Sequence, residues 1–386
     1  MHILEIPSFM PPHGGLFCLE QAKALKALGH EVRILSCTQL GLSTDRGAFL
    51  TLPWDRRWQE MEGVEMYGCY LRGWPKVVRQ NMERWVKTVQ QMYREYCRKY
   101  GKPDVLHAHC CKWAGVAACR ISKEEGIPYF VTEHLSSVLF KKDFGETWSR
   151  NIWAKDLLRE TYENAACVIP VAEELVEDLS PFFGKEYRWE AVSNIIDTDF
   201  FHFQPRERKG RGYRICCLAV ANIEAKGYDV LAEAFGGMKN TTAGEYPIEL
   251  HIAGRGTDGR EMQALFAPVP QVTLHGMLDK EGVRKLLYDC DGLVLASRSE
   301  AQPLVVLEAM STGMTVVATE VVPQSERFDK GIRIVPVGDA EALRSAMREM
   351  AEKAEPASRL LSDEVQHLAS PQAIANRLTQ LFERYK

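Results

Sequence analysis

The sequence has no run approaching the ~20 consecutive apolar residues of a membrane-crossing helix, so none is expected. Its opening, MHILEIPSFMPPHGG, lacks the basic-then-apolar order of a secretory signal, and the expected compartment is the cytoplasm. Net charge is only −4, too small to argue from the whole chain for nucleic-acid or membrane binding. There is no low-complexity tract and no GxGxxG fingerprint. Cysteine is present but gives no disulfide framework. There are eleven, an odd number, with vicinal pairs at Cys110–Cys111 and Cys216–Cys217. Several fall in expected strands, which points to free buried thiols in a reducing compartment. The balance of 46% hydrophobic and 26% charged residues is that of an ordinary globular protein. At 386 residues the chain is too long for one ordinary core, so two domains are expected.

Short apolar strands alternate with helical stretches from residue 2 onward. HILEI reads as a strand, PSFMPPHGG as a loop, LFCLEQAKALKALG as a helix closed by Gly29, and HEVRILS as the next strand. DVLHAHC, PYFVTEH and ACVIP continue the pattern, which implies a parallel, doubly wound sheet. A polar, turn-rich stretch, WEAVSNIIDTDFFHFQPRERKGRG, interrupts it as a linker would. The alternation then restarts with YRICCLAVA, IELHIAG, VTLHG, DGLVLAS, TVVAT and IRIVPV. SPQAIANRLTQLFERYK closes the chain as an amphipathic helix with Ile374, Leu378, Leu381 and Phe382 on one side. The expected fold class is α/β, with two doubly wound Rossmann-like domains. The first spans residues 1–190 plus a final helix, 371–386, the second spans 206–370, and the linker lies at about 191–205. In such domains ligands sit beyond the strand carboxyl ends, here in a cleft that the two domains would face.

The stretch ASRSEAQPLVVLEAMSTGMTVVAT carries Glu300 and Glu308 eight residues apart. Pro303 suits the first position of a helix that stops at Gly313. The free amides near Leu304 and Val305 would attract an anion such as phosphate. Glu308 lies roughly 7–8 Å further along the axis, set back from that phosphate, where both its oxygens could hold a ribose diol. One glutamate on a solvent face is the ordinary alternative. However, Leu304, Val305, Val306, Leu307, Ala309 and Met310 surround this one with apolar groups, and an unpaired buried carboxylate is costly. Elsewhere, Lys226 and Gly227 fall in the turn after the second domain's first strand, where a lysine can lie on a diphosphate. Gly14 and Gly15 allow close approach of backbone amides to an anion at the first domain's first turn. His134 ends a strand, where it could meet a sugar hydroxyl or be a satisfied core histidine. HAHCC, residues 107–111, has the composition of a metal site, but no second ligand pair at a usual spacing follows, and no metal is expected. Residues 72–102 hold nine basic residues against Glu83 and Glu95. The stripe Val78, Met82, Trp85, Val89, Met92 and Tyr96 in that stretch suits core. The basic surplus suggests a peripheral contact with anionic lipid, at the inner face of the membrane.

Taken together, E-x7-E with EAM and Gly313, AKGYDVLAEAF, SNIIDTDFF, LGHEV and DVLHAH resemble the retaining glycosyltransferases of family 4, which have the GT-B fold. The resemblance covers nearly the whole chain. It implies that Glu308 holds the donor ribose, Glu300 the transferred sugar, and the amides of Leu304 and Val305 the distal phosphate. Lys226, with the Gly14–Gly15 loop, would neutralise the diphosphate, and His134 would meet the sugar near the reacting carbon. Asn222, Gln302 and Pro303 complete the implied donor contacts, with His134, Lys226 and Glu300 as the catalytic set. The final helix would cross back to the first domain. The implied reaction is transfer of a hexose or N-acetylhexosamine from a UDP, GDP or ADP sugar to a glycan or lipid-linked acceptor. It would need no metal or other cofactor, retain configuration, proceed at the front face, and serve surface polysaccharide or glycoconjugate synthesis. Nucleic acid is not an expected partner. Two departures from the family pattern stand out. An arginine usually precedes the motif lysine, whereas VANIEAKG offers Ala221 and Asn222, leaving Arg255 as a substitute. EVVPQSERF replaces a glycine-rich loop after VVAT. The alternatives are a nucleotide-sugar epimerase of the same fold and a non-catalytic nucleotide-sugar-binding partner.

Overall fold

The computed structural model describes all residues except 13–14, 43–45, 146–150, 207–211, 239–241 and 244–245. Seven strands form the first sheet: β1 (His2–Pro7), β2 (Glu31–Gly41), β3 (Arg57–Met61), β4 (Val64–Gly73), β5 (Val105–His109), β6 (Tyr129–Glu133) and β7 (Cys167–Pro170). They lie in the order β3-β4-β2-β1-β5-β6-β7. All neighbours are parallel except β3, an antiparallel edge strand paired with β4. The central strands are buried at nearly every position, as strands covered on both faces must be. The antiparallel edge departs from the all-parallel expectation. Its hairpin turns at Glu62 and Gly63, with φ of 46° and 80°, the paired positive values of a tight two-residue turn.

The second sheet contains β8 (Tyr213–Leu218), β9 (Thr242–Ala243), β10 (Tyr246–Ala253), β11 (Val272–Gly276), β12 (Gly292–Leu295), β13 (Thr315–Thr319) and β14 (Ile332–Val335). Its order is β11-β10-β8-β12-β13-β14, all parallel, with β9 antiparallel to β10. In both sheets the order runs outward from a central strand in two directions, the doubly wound topology that places ligand sites at strand carboxyl ends.

The chain divides into two compact units, Met1–Ile195 with Pro371–Lys386, and Ile196–Ser370. The helix Pro371–Tyr385 belongs to the first unit and buries Ile374, Ala375, Leu378, Leu381 and Phe382 against it. The isoleucine, the leucines and the phenylalanine each contribute about 1.5–3 kcal/mol on burial. The ring of Phe382 meets Phe130 and His107 edge-on, at centroid distances of 4.7 and 5.2 Å. At the far end of the helix, Glu190 accepts from Arg384 (2.6 Å) and from the Tyr385 hydroxyl (2.7 Å). All eleven cysteines are free, and all but Cys97 are buried. Among the described residues no helix is long and apolar enough to cross a membrane.

Candidate active site

In the second unit, two glycines draw the carboxyl ends of three central strands together. Gly227 has φ +63°, and a Cβ there would stand 2.0 Å from the Ala296 carbonyl oxygen, just past β12. Gly254, with φ +145°, brings the end of β10 equally close to the Ala219 carbonyl beyond β8. No larger residue fits either contact. The turn before Gly227 is a short helix, Ile223–Lys226, whose N-cap Asn222 accepts from the Ala225 amide at 3.0 Å. Asn222 therefore shapes the turn that carries Lys226. The Lys226 ammonium lies 2.6 Å from Glu300 Oε1, which also accepts from Ser297 Oγ at 2.7 Å. These two charged side chains keep 21% and 14% exposure, so the pair is reachable by a ligand. Arg298 forks onto Asp229 (2.8 and 2.6 Å) and reaches the Glu224 carbonyl (2.6 Å), bracing the same turn. Arg255 is exposed, and its carbonyl accepts from the Ala221 amide.

The helix Leu304–Ser311 begins one residue later than the sequence suggests. Pro303 is its N-cap and supplies no capping side chain, so the first-turn amides of Leu304 and Val305 keep their capacity for an anion. Val306, Leu307, Ala309, Met310 and Ser311 are buried, but Leu304, Val305 and Glu308 are only half-buried. The helix is thus not covered all round. Its open face, with Val305 and Glu308, forms one wall of a cavity of about 220 Å³. Leu218, Ala219, Val220, Ala253 and Gly254 at the strand ends form the opposite wall, with Leu278 and Val283. An apolar slot with one carboxylate in its lining can take a flat apolar group that carries hydroxyls. Gln302 donates to Glu326 Oε1 at 2.5 Å, which ties the loop before the helix to the short helical turn Gln324–Glu326. Glu326, fully buried in the segment that replaces the glycine-rich loop, is a positioning residue the sequence reading missed.

In the first unit, Gly14 lies outside the described residues. Gly15 sits where a Cβ would meet the Phe17 ring at 2.5 Å. Phe17 in turn stacks on His134 at a 4.7 Å centroid distance and 25°. His134 follows β6 and is held by Glu133, whose Oε1 accepts from the His134 and Leu135 amides at 3.0 Å each. Glu133 Oε2 accepts from the Cys111 amide (2.9 Å) and the Tyr162 hydroxyl (2.7 Å). Burial raises this carboxyl's pKa, and those donors pull against the rise.

His107 and His109 share a face of β5, as the strand period requires, and both meet Glu5 of β1. Glu5, His107 and His109 are buried, with potential ligand atoms within 4.8 Å of one another, a set able to hold a metal ion by composition. The carboxylate is already satisfied as a hydrogen-bond acceptor. Glu5 Oε2 accepts from His109 Nε2 at 2.8 Å, and His107 Nδ1 straddles the carboxylate, 2.9 Å from Oε2 and 3.2 Å from Oε1. Those roles set the tautomers. His107 Nε2 then accepts from the Thr132 hydroxyl at 2.7 Å, and His109 Nδ1 faces His134 Nε2 at 3.4 Å. Burial pushes the Glu5 carboxyl up, but the neighbouring imidazoles more than offset this and hold it at about 2. His134 is held neutral by burial and by the adjacent His109 and His107. Because the folded value of Glu5 is depressed below its ordinary 4.5, its contribution to stability is complete above that pH. It is lost as pH falls toward 2. Acid unfolding followed by circular dichroism should therefore show a wild-type loss in that window that Glu5→Gln, destabilised at neutral pH, lacks. An equal slope for both proteins would remove the assignment.

Residues 15–194 match the family described as glycosyl transferase 4-like domain, and residues 213–353 match glycosyl transferases group 1. The chain is a glycosyltransferase of the GT-B type. This transferase is 24% identical over 347 residues to TuaC of Bacillus subtilis (strain 168), a glycosyltransferase named for teichuronic acid biosynthesis. The match covers 84% of this chain and 81% of TuaC. In structure, the transferase is similar to sucrose-phosphate synthase from Thermosynechococcus elongatus, with a TM-score of 0.75 and 18% identity over 100% of this chain and 99% of that one. It is also similar to Anabaena HepE in complex with UDP, with a TM-score of 0.71 and 16% identity over all of both chains.

Proposed function

We propose that this transferase moves a hexose or N-acetylhexosamine from a nucleoside-diphosphate sugar to a glycan or lipid-linked acceptor with retained configuration, as the family 4 resemblance implies. The observation that carries the reading is the arrangement in the second unit. Lys226 follows β8, and the free amides of Leu304 and Val305 open the helix whose Val305 and Glu308 line an apolar cavity at the strand ends. A base would enter the slot, the ribose diol would meet Glu308, and the diphosphate would lie between Lys226 and the helix N-terminus. Glu300, which pairs with Lys226, would exchange that contact for the transferred sugar as the phosphate meets the lysine. With Arg298 at the same turn committed to Asp229 and the Glu224 carbonyl, Lys226 is the cation left for the leaving group. In the reaction the C1–phosphate oxygen bond breaks as the C1–acceptor oxygen bond forms, and the acceptor proton passes to the departing phosphate. His134, fixed and neutral, would act as a hydrogen-bond partner for a sugar hydroxyl and not as a proton donor to the leaving group.

TuaC's name and the UDP held by HepE support a biosynthetic role and a nucleotide-sugar donor, without choosing among UDP, GDP and ADP. The donor sugars can be screened with the purified chain in EDTA, and the product's anomeric configuration read by proton NMR. Transfer with retention supports the reading. Inversion, or activity only when a divalent cation is restored, would contradict it.

A further inference from the structure

Five of the nine large apolar side chains exposed among the described residues of the first unit lie at one edge of its sheet. β2 ends at Gly41 and β4 at Gly73, which are partners in register, so both strands release their loops on the same side. Around these ends lie Leu42, Leu50, Trp74, Val77 and Val78, among the few large apolar side chains exposed in the described structure. Residues 74–80 are exposed without interruption. Trp74 is 49% exposed, yet it is held in place. Asn81 donates to the Trp74 carbonyl at 2.6 Å and accepts from its amide at 3.1 Å. Its ring meets Phe49 edge-on at 5.6 Å, beside Leu50. Leu42, Arg46 and Trp74 border a single open hollow of about 510 Å³.

The charge around these residues is mostly basic, and the nearby Glu83 is already paired with Arg120. Residues 66–82 contain Arg72, Lys76 and Arg79 and no acid. Lys76 and Arg79 are exposed, as are Arg46 across the hollow and Arg84 and Lys87 further along the helix Val78–Tyr100. The apolar stripe of that helix is not available to a partner, because Met82, Trp85, Val89, Met92 and Tyr96 are core. Of that stripe only Val78 reaches the surface. A fixed tryptophan and two valines set among lysine and arginine suit the interface of an anionic bilayer, where indole rings lie at headgroup depth and basic groups meet lipid phosphates. A soluble polyanion would use the charges and leave the apolar residues without a role.

We infer that this sheet edge docks the protein on an anionic lipid bilayer, with Trp74, Val77 and Val78 at the headgroup boundary and Lys76 and Arg79 on lipid phosphates. The inference rests on the transferase reading only for its purpose, delivery of a lipid-linked acceptor to the sheet edge that also carries Gly15 and His134.

The test is sedimentation of the full chain, at low salt, with phosphatidylcholine vesicles that contain or lack phosphatidylglycerol. Binding is expected to the anionic vesicles alone. It should fall several-fold in Trp74→Ala and at least about tenfold in the double variant Lys76→Glu, Arg79→Glu. Both variants change exposed side chains and should keep the wild-type circular dichroism spectrum and nucleotide affinity. No binding, equal binding to neutral vesicles, or variants that bind like wild type would each overturn the inference. Retention on a soluble anionic polysaccharide without vesicle binding would overturn it in favour of a glycan. A chain that binds vesicles but no nucleotide would leave the inference standing and remove the donor reading.

Discussion

Glu308→Ala is expected to weaken nucleoside-diphosphate binding by about 10- to 100-fold, with little change in stability. The estimate follows from the site's position. Glu308 is half-buried and lines the 220 Å³ cavity, on the open face of the helix Leu304–Ser311. Two ribose hydroxyls donating to one carboxylate form charge-assisted bonds, worth roughly 1.5–3 kcal/mol in such settings. Each 1.4 kcal/mol is a factor of about ten in affinity. The helix itself is fixed by Val306, Leu307, Ala309 and Met310, which the substitution does not touch. Its unfolding midpoint should therefore stay close to that of the wild type. Calorimetric titration of the variant with the wild type's preferred nucleotide reads the effect. Unchanged affinity would remove Glu308 from the ribose.

Lys226→Ala is expected to lower kcat by about 100- to 1000-fold, the range found when a single preorganised group stabilising a developing oxyanion is removed. The loss should be unusually complete because Arg298, a guanidinium at the same turn, is committed to Asp229 and the Glu224 carbonyl. Arg255 is exposed beyond the end of β10. The cost to folding should be on the order of 1 kcal/mol, since the Lys226–Glu300 pair is partly solvated and Ser297 still donates to the carboxylate. Turnover measured with saturating donor, alongside the thermal midpoint, separates the two effects. A variant that folds and turns over like wild type would place the leaving group elsewhere.

The parts of the fold that were legible in the sequence are those with a local cause. Strand and helix alternation, the stop at Gly313 and the amphipathic last helix each follow from spacing and turn residues within a few positions. The E-x7-E spacing placed one glutamate before a helix and the other on it, because the 1.5 Å rise and Pro303 fix that offset. What the sequence hid depends on distant partners. Glu5 looks anomalous in the apolar strand HILEI, but its imidazoles are more than 100 residues away. Glu326 reads as a loop carboxylate until Gln302 is found beside it. The antiparallel β3 was hidden by a Glu62–Gly63 turn, where a Glu with positive φ replaces the usual Asn or Asp. The surroundings of Glu308 were overstated for a related reason. Six apolar neighbours suggested burial on every side, whereas Leu304 and Val305 share its open face.

On the proposed reading, the second unit carries a nucleotide-sugar donor site that works without a metal ion. Calorimetric titration of the intact chain with UDP, GDP and ADP, in EDTA and then with added Mg²⁺, tests it most directly. Saturable binding of one nucleotide, equally tight in both conditions, is the predicted result. Binding of none of the three, or binding only with Mg²⁺, would contradict it.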